Sequence, residues 1–261
     1  MGDHVVGQAD IEAIERATLA AVAPEEVQEI DGWLVGLDPG SIRRAASAVP
    51  LRHDLPADPK TLDLIEAAFG ARGLAPAFRL ADSPRLEAVR RELLRRGYGF
   101  EQPTLVKIAP VAAILGVTEA APAEIAERPD EAWAAVFLGE GFDPVDGACR
   151  VKALSRSPGA RFGMVRDAGR TIAVGCGSYG PDWVSFHGMR TDLARRGEGL
   201  AGRVLAGLAR EALARGIGRA FLQVEEKNVS ARSLYRRAGF EPAWRYFYWS
   251  RPVAGSRLST G

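Results

Sequence analysis

The chain is predicted to fold as an α/β (α+β) protein, and three observations carry that prediction. Its last hundred residues alternate short apolar runs with helical periodicity, in the order strand, glycine turn, helix, strand, helix, strand. A weaker version of the same order runs through the first hundred residues. The composition, 47% hydrophobic and 26% charged over 261 residues, suits a globular chain of two domains, each of ordinary size.

From the N-terminal side, Thr61-Leu62-Asp63-Leu64-Ile65-Glu66-Ala67-Ala68-Phe69 reads as a helix, followed by a strand through Phe78-Arg79-Leu80. Leu86, Val89, Leu93 and Leu94 recur at helical spacing, with Arg90-Arg91 and Arg95-Arg96 on what reads as the solvated face. Gly97 closes that helix, and Pro103-Thr104-Leu105-Val106-Lys107-Ile108 follows as a strand. The stretch from Ala109 to Arg128, with Pro110 and Pro122, reads as a connection. Pro129-Asp130-Glu131 opens a helix carrying Trp133, Val136, Phe137 and Leu138, and Gly139 to Gly147 reads as a loop where substrate docks, its Glu140, Asp143 and Asp146 able to attract an amine. Asp167-Ala168-Gly169 turns a hairpin spanning Arg161 to Gly177.

Val184-Ser185-Phe186-His187-Gly188-Met189 is the next strand, bounded by Gly180-Pro181-Asp182. The turn Arg196-Gly197-Glu198-Gly199-Leu200-Ala201 then opens an amphipathic helix in which Leu200, Val204, Leu205, Leu208, Ala212 and Leu213 share a face. Glycines at such a turn let backbone N–H groups approach a phosphate with no Cβ in the way; equally, they make a tight strand-to-helix connection with no ligand. Ala220-Phe221-Leu222-Gln223-Val224 reads as a buried strand, Ser230 to Ala238 as a helix stopped by Gly239, and Trp244 to Trp249 as a final strand.

Here the residues resemble a family. Arg196-x-x-Gly199-x-Ala201 resembles the acyl-CoA-binding signature of the GNAT acetyltransferase superfamily, and Leu222-Gln223-Val224-Glu225, Asn228, Ala231, Leu234-Tyr235 and Gly239-Phe240 are similar to its second block. The resemblance runs over Phe162 to Trp249. It implies the GNAT acyl-CoA N-acyltransferase fold, with a mixed, mostly antiparallel sheet. It also implies a tandem arrangement, with a degenerate GNAT-like domain over residues 1–110 and a catalytic domain over 129–252; the alternative is an unrelated small α+β domain over the first 110 residues, the echo being chance. Residues 111–128 read as a linker, and the Gly-, Ser- and Thr-bearing tail from Val253 as disordered. The first domain is expected not to bind CoA in the same way, because the stretch before its helix, Leu51 to Pro59, holds prolines and no glycine turn.

The resemblance also implies roles. The amides of Arg196, Gly197, Glu198, Gly199, Leu200 and Ala201 would hold the pyrophosphate of acetyl-CoA, and the Met189-Arg190-Thr191 backbone would pair with its pantetheine arm. Asn228 would hydrogen-bond that arm or the turn, and Tyr235 would bind the cosubstrate and protonate, or hydrogen-bond to, the departing thiolate. Periodicity alone sets Tyr235 on a core face with Ala231, Leu234 and Ala238, and makes Asn228 a helix cap. Three routes to a deprotonated amine stay open: His187, which shares a strand face with Ser185; Glu225, just past its strand; or a water relay.

The expected function is transfer of an acetyl group from acetyl-CoA to a primary amine by direct attack in a ternary complex. The acceptor is a small molecule or a peptide or protein amine. A non-catalytic acyl-CoA sensor or scaffold, and an acyltransferase for longer acyl chains, are the alternatives. The net charge of +1 gives no footprint for nucleic acid, and no apolar run reaches the ~20 residues of a membrane helix, so a cytoplasmic location is expected. Three scattered histidines and two distant cysteines, Cys149 and Cys176, form no metal-ligand pattern. Nothing in the residues reads out an oligomeric state.

Overall fold

The first helix, α1 (Gln8–Val22), turns its Ile11, Ile14, Leu19 and Val22 inward. A hairpin follows, β1 (Glu26–Ile30) and β2 (Trp33–Leu37), closed by Asp31 and Gly32, both at positive φ as a two-residue reversal of this hand requires. A loop then leads to the short strand β3 (Ala48–Pro50). This opening of the chain has no counterpart in the sequence reading. The computed structural model describes residues 6–251. The expected tail from Val253 lies outside them.

The next elements follow the predicted spacing. Helix α2 (Pro59–Ala71) is capped by Asp58, whose carboxylate accepts from the Lys60 N–H, and buries Leu62, Ile65 and Phe69. Strand β4 (Ala77–Ala81), helix α3 (Glu87–Arg95) and the long strand β5 (Gly99–Pro110) complete the first half. The predicted solvated face of α3 needs correcting. The Arg96 guanidinium is largely covered, held by Glu92 at 2.8 Å and Asp63 at 2.7 Å, because it clamps α3 to α2.

The stretch expected to be a connection carries structure of its own. A single helical turn, α4 (Val111–Ile114), buries Val111 and Ile114, and β6 (Glu124–Ala126) adds to the sheet edge against the next hairpin. Asp130 caps α5 (Glu131–Ala135) by accepting from the Trp133 N–H at 2.7 Å, as the acidic start predicts. That helix is shorter than expected. Val136, Phe137 and Leu138 form successive tight turns, and Leu138 is exposed. The anticipated docking loop is shorter too, since α6 (Pro144–Arg156) begins inside it with proline in its first turn.

The second half continues with the hairpin β7 (Arg161–Asp167) and β8 (Arg170–Tyr179), turning at Ala168 and Gly169. Then come β9 (Trp183–Thr191), α7 (Leu200–Ala214), β10 (Arg219–Glu225), α8 (Val229–Arg237) and β11 (Glu241–Ser250). Gly239, at φ +83°, ends the α8 segment in the left-handed region that favours glycine.

Among the described residues eleven strands form one sheet, in the order β1-β2-β3-β4-β11-β5-β10-β9-β8-β7-β6. Most pairings are antiparallel; β3 with β4 and β9 with β10 are parallel. The centre of the sheet is an exchange. Strand β5 lies between β10 and β11, while β11 lies between β4 and β5. The unit β4-α3-β5 and the unit β10-α8-β11 thus share one order, and each contributes its last strand beside the other's first. Separate apolar clusters lie under the two halves, one around Leu62, Phe69, Phe78 and Leu93 and one around Val204, Leu208, Leu222 and Phe240.

Candidate active site

The opening in the sheet follows from one pairing. Strands β9 and β10 are bonded only from Trp183↔Arg219 to Phe186↔Leu222; beyond that they diverge. The divergence has a local cause. Pairing of β9 with β8 skips between Val174↔Arg190 and Cys176↔His187, a bulge at Gly188 and Met189, with Gly188 at φ +59°. A Cβ at Gly188 would fall 2.7 Å from Leu154 Cδ1, so glycine serves both the conformation and the space. The edge of β9 from His187 to Arg190 therefore faces a cavity of about 570 Å³ rather than a neighbouring strand.

His187, Met189, Arg190, Glu225, Asn228 and Tyr235 all line this cavity, so most of the residues singled out in the sequence meet there. Tyr235, on α8, is buried, and removal from water pushes its hydroxyl up to about 12, with Arg44 acting weakly the other way. It is a neutral phenol at any physiological pH. No described residue hydrogen-bonds its hydroxyl. Asn228 is the N-cap of α8, its Oδ1 accepting from the Ala231 N–H at 3.1 Å, and the same residue forms part of the cavity wall.

His187 sits deep in the wall, with Nε2 2.7 Å from Ser185 Oγ, the residue with which it shares a strand face. Burial, helped by the field of Arg44, holds its imidazole down to about 3, and its Nδ1 has no hydrogen-bond partner. The ring is therefore neutral over the working range. Glu225 is the carboxylate of the wall. Its Oε1 accepts from Gln102 Nε2 at 2.9 Å, and Lys227 Nζ lies 3.1 Å from its Oε2.

Arg196, Gly197, Glu198 and Gly199 are exposed beyond the cavity, at the start of α7. Gly197 and Gly199 take φ of +87° and +75°, and nothing stands within 4 Å of where a Cβ would be. No described residue accepts a hydrogen bond from the amides of Gly197, Glu198, Gly199, Leu200 or Ala201. Five orphan donors at a helix N-terminus form a cradle for an anion. Glu198 is folded back onto Arg195 at 2.8 Å, away from duty at the cradle. Thr191, at the end of β9, leads toward this turn, paired with Ala173.

Sequence reasoning missed the contribution of the first half. Ser41, Arg43 and Arg44, in the loop between β2 and β3, line the cavity together with Gln102 and Thr104 of β5. Gln102 has φ +55°, an uncommon conformation for a side chain of its kind, and this directs its amide between Arg43 Nη1 (2.7 Å) and Glu225. Gln223 of β10 gathers Tyr246, whose hydroxyl donates to its Oε1 at 2.8 Å, and Thr18 of α1, which accepts from its Nε2 at 2.8 Å. The docking acids are differently employed. Asp143 caps α6 by accepting from Val145 and Asp146 N–H groups, and Asp146 is held by Arg150 and Ser41.

Cys176 is buried in β8, with its thiol pushed up to about 12 by loss of hydration, and Cys149 lies half-buried on α6. Neither lines the cavity. Among the described residues no group of three or more histidine, cysteine or acidic side chains is placed to hold a metal ion, and no helix is long and apolar enough to cross a membrane.

The model of the family described as probable histone acetyltransferase Rv0428c C-terminal matches residues 8–249. No curated protein matches the chain. Among solved structures, a GCN5-related N-acetyltransferase from Kribbella flavida superposes with a TM-score of 0.70 at 19% identity, covering 95% of this chain and 97% of its own. A functionally unknown conserved protein from Staphylococcus epidermidis ATCC 12228 gives 0.66 at 10% identity, with 89% and 96% covered. A tandem GNAT protein from the clavulanic acid biosynthesis pathway gives 0.58 at 13% identity, with 95% and 96% covered. At these identities the likeness speaks for the fold, and it extends over nearly the whole of each chain. The chain belongs to the Rv0428c C-terminal family, and its mixed sheet with parting strands shares the fold of the GNAT acetyltransferase structures.

Proposed function

We propose that the protein transfers an acetyl group from acetyl-CoA to a primary amine, by direct attack within a ternary complex. The observation that carries this reading is the opening between β9 and β10, which has Tyr235 on its wall and five free amides at the start of the adjoining helix. The residues present fit the cosubstrate. The unpaired edge of β9 at Met189, Arg190 and Thr191 offers backbone groups to an amide-bearing arm, as an added strand would find them. The amides from Gly197 to Ala201 suit a pyrophosphate, which the dipole of α7 also favours.

In the transfer step the amine nitrogen bonds to the thioester carbonyl carbon, the C–S bond breaks, and the electron pair leaves on sulfur. Backbone N–H groups near Met189 stabilise the charge that grows on the carbonyl oxygen. Tyr235 then gives its proton to the sulfur, and the second proton that the nitrogen sheds as the amide forms restores the phenol through the water in the cleft. Its buried, neutral phenol is ready to donate, and its hydroxyl is not already committed to another residue. The amine must first lose a proton. Glu225, the carboxylate on the wall, takes it through water, whereas His187 holds a proton only near pH 3 and so accepts poorly from an ammonium. His187 and Ser185 instead support the strand edge. The family description names histones, whose lysine side chains are primary amines and so fall in the broad class of amines to be screened.

The test is the thermal midpoint with and without saturating acetyl-CoA, followed by a screen of amines. A hundredfold excess over Kd adds ~2.7 kcal/mol, enough to move the midpoint by several degrees. A shift together with acetylated product supports the reading. A shift without product from any amine would instead make the protein a sensor, and no shift would remove the cradle from the argument. Comparing acetyl-CoA with propionyl- and longer-chain CoA fixes the acyl preference.

A further inference from the structure

The charge of the acceptor is written on the cavity wall, and this inference rests on the acetyl-transfer reading above. Five cationic side chains line the cavity: Arg43, Arg44, Arg150, Arg190 and Lys227. Four are matched by nearby acids. Arg43 reaches Glu101 at 3.0 Å and stacks on the Tyr248 ring at 4.2 Å. Lys227 pairs with Glu225, and Arg150 with Asp146 at 2.6 Å. Arg190, 3.7 Å from that same Asp146, lies over the Phe142 ring. One carboxylate therefore serves two guanidiniums.

Arg44 has no such partner. Among the described residues no carboxylate lies within ion-pair distance of it, and Glu15, whose field it shares, is committed to Arg79 at 2.6 Å. Its one hydrogen bond, from Nη1 to Gln223 Oε1, is long at 3.4 Å, and its Nε is buried with no partner. A buried donor left unsatisfied on a permanently charged group is costly, so a site that keeps one is matched to an acceptor brought from outside. The guanidinium is close enough to depress His187 and to lower the Tyr235 hydroxyl, so it acts on the groups around the reacting centre. The pyrophosphate cradle at Gly197 to Ala201 is not part of this cavity lining, apart from its neighbours on β9.

We propose that the acceptor amine also carries an anionic group, a carboxylate or a phosphate, and that Arg44 binds it, with Arg43 and Arg150 adding to the attraction. Guanidinium forks suit both oxyanions. The same wall repels a densely basic peptide, so a lysine in a histone-like tail is a poor acceptor unless an acidic group accompanies it.

The experiment compares matched amines with the full chain: α-amino acids against their amides, phosphoethanolamine against ethanolamine, and a lysine-rich peptide. Acetyl-CoA binding is followed separately by the thermal shift. The expected result is that at least one anionic amine exceeds its uncharged partner in kcat/KM by about tenfold or more, and that Arg44→Gln collapses that ratio toward one while keeping the acetyl-CoA shift. The carboxylate and phosphate arms separate the two sources of negative charge. Uncharged amines or the basic peptide reacting as well as the anionic ones, or a preference that survives Arg44→Gln, overturns the proposal. So does an Arg44→Gln effect confined to the KM of acetyl-CoA, or acetyl-CoA binding with no anionic amine accepted. Loss of the acetyl-CoA shift in the unmodified protein would instead overturn the transfer reading, and this proposal with it. If Arg44→Gln unfolds, Arg44→Lys replaces it, keeping the charge but losing the fork, and is expected to lower the ratio in part.

Discussion

Gln102 donates to Glu225 across the join between the two halves, Nε2 to Oε1 at 2.9 Å, from a backbone held at φ +55°. One strand of the first half thereby positions an acid on the wall of a cleft that the second half opens. The cleft is a joint product of both halves, and this shapes what variants should do.

Tyr235→Phe removes one hydroxyl with no protein partner from a well-packed site. The expected outcome is a kcat about 10²-fold lower or more, as for loss of a positioned proton donor, with a thermal midpoint close to that of the unmodified protein. Steady-state kinetics and a melting curve check both. Unchanged turnover would deny the hydroxyl its role in transfer.

Gly199→Val tests the cradle. Its position at φ +75° has open space around the missing Cβ, so strain in the backbone, ~1–2 kcal/mol, is the expected stability cost. The acetyl-CoA-dependent shift should vanish because the amides from Gly197 to Ala201 lose their common aim. A normal shift in this variant would show that the turn is only structural.

Stability should fall in mild acid, and the sign follows from two buried histidines. His187 is held down to about 3, and His53, in the first half, to about 4, each chiefly by burial. The unfolded chain protonates both near pH ~6.5, so between there and pH 4 it binds protons that the folded chain refuses. Each contribution is whole above pH ~6.5 and is lost as pH falls, at up to about 1.4 kcal/mol per pH unit. Denaturant melts from pH 7 to 4 measure it. His53→Gln should flatten the profile.

Removing one partner of the buried pair Glu15–Arg79 should cost much more than a surface charge would. Both side chains are almost wholly buried, 2.6 Å apart, and Arg79 lies over the Tyr246 ring at 5.1 Å. Glu15→Ala strands the guanidinium and should cost ~3–5 kcal/mol. Chemical denaturation reads this directly.

The second half alone should fail to fold. In a fragment over residues 111–251, β11 would lose both of its neighbours, β4 and β5, and β10 would present a bare edge. Soluble, cooperatively melting fragment would refute this; recovery on co-expression with residues 1–110 would support it.

The run from β9 to β11 was legible because its signals are local. Gly197, Gly199 and Gly239 punctuate it, and the apolar spacing of Leu200, Val204 and Leu208 is unambiguous. The meeting of His187, Glu225, Asn228 and Tyr235 was legible for the same reason, through their places on neighbouring elements. Arg43 and Arg44 were not. In sequence they are two basic residues in a loop, and the run of strand pairings from β3 through β4, β11 and β5 to β10 brings that loop to Gln223. Helix α6 hid behind Gly147 and a mixed apolar pattern, and the partners of β5 and β11 were invisible because strand composition does not specify which strand lies alongside.

The exchange at the centre of the sheet also fixes an order of events in biosynthesis. Ala81 waits for Tyr246 as its ladder partner, and Thr104 is bounded on its two sides by Tyr246 and Glu225. A nascent chain that has delivered only its first half holds three unzipped strand edges, one on β4 and both on β5. Such a chain depends on late residues to become protease-resistant, so a ribosome stalled anywhere before β11 would release a target for quality control rather than a half-working enzyme.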